Sequence, residues 1–335
     1  MKDVYSRTNN VCLVFLTIVV GTAALIYMRP VLVPLIFSIF TYAVLTPLVT
    51  LVEQKLKLPK LLAILAALLF LFFAFSLVVL VLIGSVENFV TGAPKYRESM
   101  TEFIKLLESQ LFRFHVEIEL DQVRDLVRSL PLFEYAQNLT GQLLTFFGNL
   151  FLVFIFTVFM MSGESRVESK GPMLTEILEK VSSYVSSKLF LSLLTGLFVW
   201  LILFSFGVEL AFLFAFLTIL LNFIPTIGSI VAVLLPLPIV FLQYQLNWQF
   251  FTILALTGVI QFSIGNILEP KILGESMDLH PITILICLIF WGMIWGMGGL
   301  FLAVPITAVI KIIFHRVEAT RDLAEILAGR LPYKS

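Results

Sequence analysis

From Leu61 to Val86 the chain runs 26 residues without one charged side chain. Wound as a helix, such a run is about 39 Å long, more than the ~30 Å hydrocarbon thickness of a bilayer. Inside a bilayer every backbone N–H and C=O must be satisfied within the protein, and a helix does so along its own length. Comparable apolar runs recur between Val11 and Phe314. Of the 335 residues, 59% are hydrophobic, 33 are Phe and only 13% are charged. Soluble domains carry about a quarter charged residues, and none could hide this much apolar surface. The sequence predicts an all-α polytopic membrane protein. About six full spans are expected, plus two broken helical hairpins, which makes eight hydrophobic regions if each is counted as a span.

The first three spans are expected over Val11–Met28, Val31–Val52 and Leu61–Val86. Lys2 and Arg7 precede the first run, as in a signal peptide. The run is long, however, and Arg29-Pro30 opens another span without a small-residue cleavage pattern, so it reads as a retained helix. Segment 87–141 differs in kind. Tyr96, Met100, Phe103, Leu107 and Leu111 form an amphipathic stripe, and Leu120, Val123, Val127 and Leu130 form a second. Six basic residues face nine acidic ones there, a net charge of −3, as expected of a small extramembrane helical module. A fourth span follows over Leu143–Met161. The polar stretch 162–188 then carries Leu174, Ile177, Leu178, Val181 and Val185 at helical spacing, which predicts an interfacial helix along the membrane. A further span is expected over Leu189–Phe206, and another over Trp248–Leu268, stopped by Glu269-Pro270.

Two apolar regions are interrupted. Within Leu220–Leu234 the polar, helix-breaking residues Asn222, Pro225, Thr226, Gly228 and Ser229 separate arms over Leu210–Leu221 and Ile230–Tyr244. The first arm has about 12 residues, short of the ~20 that a straight span needs. Within Pro281–Phe314, Gly296, Gly298 and Gly299 break the run and Pro305 sits in the second arm. Such breaks are tolerated in a membrane only where protein or a water-filled cavity covers the freed backbone groups.

Lysine and arginine in the short loops set the orientation. With the N-terminus in the cytoplasm, the inner segments hold fifteen basic residues and the outer short loops hold only Arg29. Both termini are then cytoplasmic and the 87–141 module lies outside. The broken regions either cross twice each or are re-entrant hairpins. The re-entrant arrangement is preferred, because helix 189–206 with hairpin 208–245 and helix 248–268 with hairpin 281–314 then form an inverted pair of the kind that places substrate at the mid-plane. The expected organisation is N-terminal helices over 1–86, the module over 87–141, helix 4 with the cytoplasmic interfacial helix over 142–188, a transport core over 189–314 and a cytoplasmic tail over 315–335.

Four motifs occur in a telling order. Asn222-Phe-Ile-Pro-Thr-Ile-Gly228 resembles the asparagine-x-isoleucine-proline-x-x-glycine signature of the AI-2E family, the autoinducer-2 exporter-like or PerM-like bacterial membrane proteins. Gly265-Asn-Ile-Leu-Glu-Pro-Lys-Ile-Leu-Gly274, Leu279-His-Pro281 and Gly298-Gly-Leu-Phe-Leu-Ala-Val-Pro305 resemble the rest of that pattern. Gly163-Glu164 resembles the family's aspartate-glycine-glutamate element, with Ser162 in place of the acid. The resemblance covers most of the chain and implies a multi-helical transporter of the bacterial inner membrane. It also implies a homo-oligomer, with a pentamer as the reference state. The implied activities are export of autoinducer-2 and sodium(lithium)/proton antiport.

Glu269 is the sharpest candidate for function. It ends an apolar helix that also presents Gln261 and Gly265 at steps of four, with Asn266 three residues before it and Pro270 after it. A carboxylate there can bind a cation or carry a proton, since ionisable groups within a membrane are functional candidates by default; the plainer reading is a solvated helix end paired with Lys271. Asn222 can bond a polar solute or cap the broken helix. Gln261 can line a path or simply bond a neighbouring helix. His280, before Pro281, can carry protons or merely start a helix. Gly296, Gly298 and Gly299 permit a hinge or close helix approach. Cys12 and Cys287 read as buried small apolar residues.

The chain has no Walker A loop, no metal-ligand cluster and no nucleophile-base arrangement, and its net charge of zero gives no case for nucleic acid. The expectation is a non-enzymatic secondary transporter or exporter of a small polar solute, driven by a proton or sodium gradient, with no cofactor beyond that ion. The alternatives are a sodium(lithium)/proton antiporter and an uncoupled oligomeric pore or scaffold. Lipid, a small solute or ion, and further copies of the chain are the expected partners.

Overall fold

The computed structural model describes residues 2–57, 59, 61–85, 87, 150–162, 171–273 and 277–330. The module expected over 87–141 lies almost wholly outside these residues, as do Gly163 and Glu164. The described residues are helical throughout their ordered elements, with no strand among them. They divide into two compact units, the first from 1–67, 149–186 and 275–335, the second from 68–148 and 187–274. The expected transport core, 189–314, is shared out: its first broken region belongs to unit 2 and its second to unit 1.

Unit 1 opens with α1 (Lys2–Tyr27) and α2 (Arg29–Leu56), joined through Met28. Pro30 lies in the first turn of α2, where its missing N–H costs nothing. Lys57 ends α2 in the left-handed conformation, φ 51°. α3 (Leu61–Ser85) starts in unit 1 and continues into unit 2, and α4 (Leu150–Ser162) returns to unit 1. Polar groups inside these apolar helices satisfy themselves locally. Ser38 Oγ donates to Leu35 O at 2.5 Å, and Thr157 Oγ1 donates to Val153 O at 2.7 Å.

The expected interfacial helix and the span after it are one element. α5 runs unbroken over Pro172–Ser205, 34 residues or about 51 Å. It overruns a bilayer by more than a third of its length. No Pro or Gly interrupts it before Gly196. Its buried stripe, Val181, Val185, Lys188, Ser192, Thr195 and Val199, keeps helical spacing across the polar-to-apolar boundary. That continuous packed face holds the two halves in one helix.

In unit 2, α6 (Ala211–Leu221) leads to the first break, then α7 (Ile227–Leu234) and α8 (Leu237–Tyr244). α9 (Trp248–Ser263) follows, with Asn247 Oδ1 accepting from Trp248 N at 2.8 Å at its start. Val199, Leu203, Val208, Phe214, Val240 and Ile253 pack into one cluster. α9 widens into a single π-helical turn over Ile264–Leu268 and resumes as α10 (Glu269–Leu273). Unit 1 closes with α11 (Pro281–Trp295), α12 (Met297–Arg316), a 3-10 turn at Glu318–Thr320 and α13 (Arg321–Leu327).

Among the described residues, six helical stretches are long and apolar enough to cross a membrane, α7 with α8 counted as one, and exposed Phe70, Phe73, Phe190, Phe204, Val259 and Phe262 lie on three of them. Large apolar side chains left bare on helix after helix are what lipid requires and water forbids. The chain is a polytopic membrane protein.

Candidate functional site

The break after α6 is built from three tight turns. Phe223 N donates to Leu220 O at 3.1 Å and Ile224 N to Leu221 O at 2.8 Å. Pro225 has no donor to continue the ladder. Ile227 N then reaches back two residues to Pro225 O at 2.6 Å, closing a turn centred on Thr226 at φ 62°, ψ −59°. Those angles are the rare, strained form of the γ-turn, and Thr226 is β-branched, the residue type least suited to positive φ. Strain of this sort persists only where the surroundings over-determine it. Gly228 shows what does so: a Cβ there would run into the Leu221 carbonyl. Only glycine lets α7 start so close to the end of α6.

The second break shares two of these features, a positive φ and a glycine pressed against a carbonyl. Gly296 stands at φ 63°, ψ −140° between α11 and α12, and a Cβ on Gly299 would run into the Trp291 carbonyl. Around it, Trp295 Nε1 donates to Leu25 O at 3.0 Å. Arg29 Nη2 lies 3.1 Å from where a Gly296 side chain would begin, and Val33 crowds Gly298 at 3.0 Å. The turn of this hairpin therefore sits beside the α1–α2 junction.

Two elements, α5 and α10, meet chemically in unit 2. Lys188, on α5, is buried, and its ammonium donates to Glu269 Oε1. Glu269 opens α10 directly after the π turn, and its N–H bonds Ile264 O five residues back. The π turn adds a residue to the helix before Glu269. The side chains of the pair are 2% and 25% exposed, so the carboxylate is the member that solvent or solute can reach. Among the described residues, four buried side-chain polar atoms lack a hydrogen-bond partner: Ser192 Oγ, Asn222 Oδ1, Gln249 Oε1 and Gln261 Nε2. All four belong to unit 2. Buried polar atoms are nearly always satisfied, so orphaned ones need an explanation.

The structure sorts the sequence candidates. Asn222 and Gln261 are buried, Gly265 and Glu269 are half-buried, and Ser229 Oγ lies 3.6 Å from where a Gly265 side chain would begin. Asn266 and Pro270 are exposed, so Asn266 does not join the face that carries Gln261 and Glu269. Lys271 is exposed too; the partner of Glu269 is Lys188. His280 is exposed and caps α11, its Nδ1 accepting from Ile282 N at 3.3 Å, with Pro281 in the first turn. Cys12 is exposed and Cys287 is intermediate rather than buried.

A charged cluster in unit 1 has no counterpart in the sequence reading. Lys311, buried, donates to the Asp278 carbonyl and to Asp278 Oδ2, the latter at 2.5 Å. Arg330 Nη2 bonds Asp278 Oδ1 at 3.0 Å, and Arg316 Nη2 bonds Glu176 Oε2 at 2.6 Å. With Glu325 and His315 these groups line a cavity of about 180 Å³. His280 N donates to Leu327 O at 3.1 Å, so the tail is tied to the loop that enters α11.

The model of the AI-2E family transporters matches residues 14–319, nearly the whole chain. The chain belongs to this family. The AI-2 transport protein TqsA of Escherichia coli is 27% identical over 311 residues, covering 89% of each chain. A putative transport protein of Borreliella burgdorferi is 28% identical and covers 95% of this chain and 90% of its own. The putative transport protein YhhT of Escherichia coli is also 28% identical, covering 96% and 95%. Membership makes this AI-2E protein a membrane transporter, resident in a lipid bilayer and acting on a small substrate.

Proposed function

We propose that this AI-2E family member is a secondary transporter that exports a small polar solute at the expense of an ion gradient, with the site in unit 2. The observation that carries this reading is the buried Lys188–Glu269 pair in the same unit as four unpartnered buried polar atoms. An uncoupled pore has no need of a buried ion pair, which costs desolvation on both members. Ser192, Asn222 and Gln261 offer a hydroxyl, a carbonyl and an amide N–H, the complement of an uncharged solute bearing both donors and acceptors. Glu269 is the group that carries the coupling ion, and a proton or sodium gradient is the driving force.

The geometry also bears on topology. Tyr244 OH donates to Phe206 O, and Glu209 N donates to Gln243 Oε1 at 3.0 Å, so the first broken region returns to where it began. Its first arm, 11 residues, is about 16 Å long, roughly half a bilayer. That supports a re-entrant hairpin with the Asn222–Gly228 break near mid-depth. The second hairpin is different: its turn lies level with the α1–α2 junction, and α12, at 20 residues, is about 30 Å long. That supports two full crossings there, against the re-entrant expectation.

Flux into proteoliposomes, with proton and sodium gradients imposed separately, tests the function. The name of the TqsA relative makes autoinducer-2 the first solute to assay. Accumulation above equilibrium under one gradient is expected; mere equilibration under both would establish a pore instead.

A further inference from the structure

The role of Lys188 goes a step beyond that reading and rests on it. Lys188 is the most deeply buried cation among the described residues. It is held on α5 beside Ser192 and Thr195, one and two turns further on, and its given partner is Glu269 on α10. The other elements of unit 2 present no competing charge: α6, α7, α8 and α9 carry no Asp, Glu, Lys or Arg. Besides this pair, the described residues of unit 2 hold Glu87 and Lys271, both exposed, and Glu209 at the turn before α6. Tyr244 is occupied with Phe206 O. Among the described residues of unit 2, no other charge is buried with the pair.

We infer that Lys188 is a positioning residue that makes coupling obligatory: a cation tethered to α5 that occupies Glu269 whenever a proton does not. The exchange balances simply. A proton adds to the Glu269 carboxylate and gives the neutral acid, and the Lys188 ammonium, still charged, is released from its partner. When the proton leaves, the ammonium returns to the carboxylate. At no stage does the apolar interior hold a bare carboxylate, the species that would let ions leak without solute; in the protonated state the charge left unpaired is the Lys188 ammonium, which its tether to α5 keeps from crossing. The partial exposure of Glu269 against the full burial of Lys188 gives the proton its access and keeps the tether out of the path.

The test compares the wild type, Lys188→Met, Lys188→Gln and Lys188→Arg in proteoliposomes holding a trapped pH dye, with the membrane potential clamped and autoinducer-2 as the solute probe. In wild type, proton movement and solute accumulation are expected to occur together. Lys188→Met is expected to lose accumulation and to pass protons without solute, and Lys188→Arg to retain coupling with a displaced pH profile. Lys188→Gln keeps a hydrogen-bond donor on Glu269 and serves where the Met variant does not fold. A folded Lys188→Met or Lys188→Gln protein that still accumulates solute with the wild-type pH profile overturns the inference alone. A wild type that accumulates solute under a sodium gradient without proton dependence overturns the inference and leaves the coupled reading; one that accumulates under neither gradient removes both.

Discussion

Lys188 and Glu269 lie 81 residues apart, on α5 and α10, and form an ion pair whose lysine is sealed and whose carboxylate is partly open. The asymmetry predicts unequal costs. Glu269→Ala strands a lysine that has 2% of its side chain exposed, whereas Lys188→Met strands a carboxylate with 25% exposed. Breaking a buried pair from one side costs roughly 3–5 kcal/mol, whereas replacing both members by apolar residues is often neutral. Glu269→Ala is therefore expected at the upper end, Lys188→Met at the lower, and Lys188→Met/Glu269→Leu near wild type. Thermal unfolding in detergent reads all three. A double variant no more stable than the worse single one would show that the two charges do not depend on each other.

Gly228 and Gly299 make matched predictions. Alanine at either puts a methyl group against a backbone carbonyl, that of Leu221 or Trp291, which cannot swing aside like a side-chain end. Each is expected to destabilise by at least the 1–3 kcal/mol typical of overpacking. Gly258 is the control: nothing lies within 4 Å of its added Cβ, and Ala in a helix interior is about 1 kcal/mol better than Gly. Gly258→Ala should raise the unfolding temperature while the other two lower it.

The spans were legible because charge-free runs of this length have one solution in a bilayer, and both breaks were legible because Pro225, Gly228 and Gly296–Gly299 cannot continue a helix. Lys188 was not. It ends a polar stretch, so counting it among cytoplasmic loop cations fitted the orientation rule. The available signal was the stripe from Val181 to Val199, which passes through Lys188 without a change of phase. Its partner, and that of Lys311, depend on long-range packing that no local spacing encodes. Asn266 was placed beside Glu269 by α-helical geometry, and the π turn between Ile264 and Leu268 changes that register.

Thr226 tests whether the first break stores strain. A non-glycine residue in the left-handed half of the map pays about 1–2 kcal/mol, and glycine gives back roughly 0.5–1 kcal/mol in unfolded-state entropy. Thr226→Gly should therefore be neutral to slightly stabilising in the melting assay. A loss of 1 kcal/mol or more, the usual penalty for glycine in a regular helix, would mean that the turn at φ 62° is not strained.

The contrast between the two hairpins is open to cysteine accessibility. Both native cysteines would first be replaced, as Cys12→Ala and Cys287→Ala, and single cysteines introduced at Met28 and Met297, which are exposed. Arg29 and Gly296 are neighbours, so the α1–α2 junction and the α11–α12 turn share one depth. On the orientation expected from the lysine and arginine bias, with the N-terminus in the cytoplasm, that depth is the outer face. A membrane-impermeant maleimide added to intact cells should then label Met28→Cys and Met297→Cys alike. In a re-entrant α11–α12 hairpin entering from the cytoplasm, Met297→Cys would react only after permeabilisation while Met28→Cys reacted before it. Labelling of both only after permeabilisation would instead reverse the orientation and leave the shared depth intact. The pair of positions thus separates an error in hairpin depth from an error in sidedness, which a single position could not do.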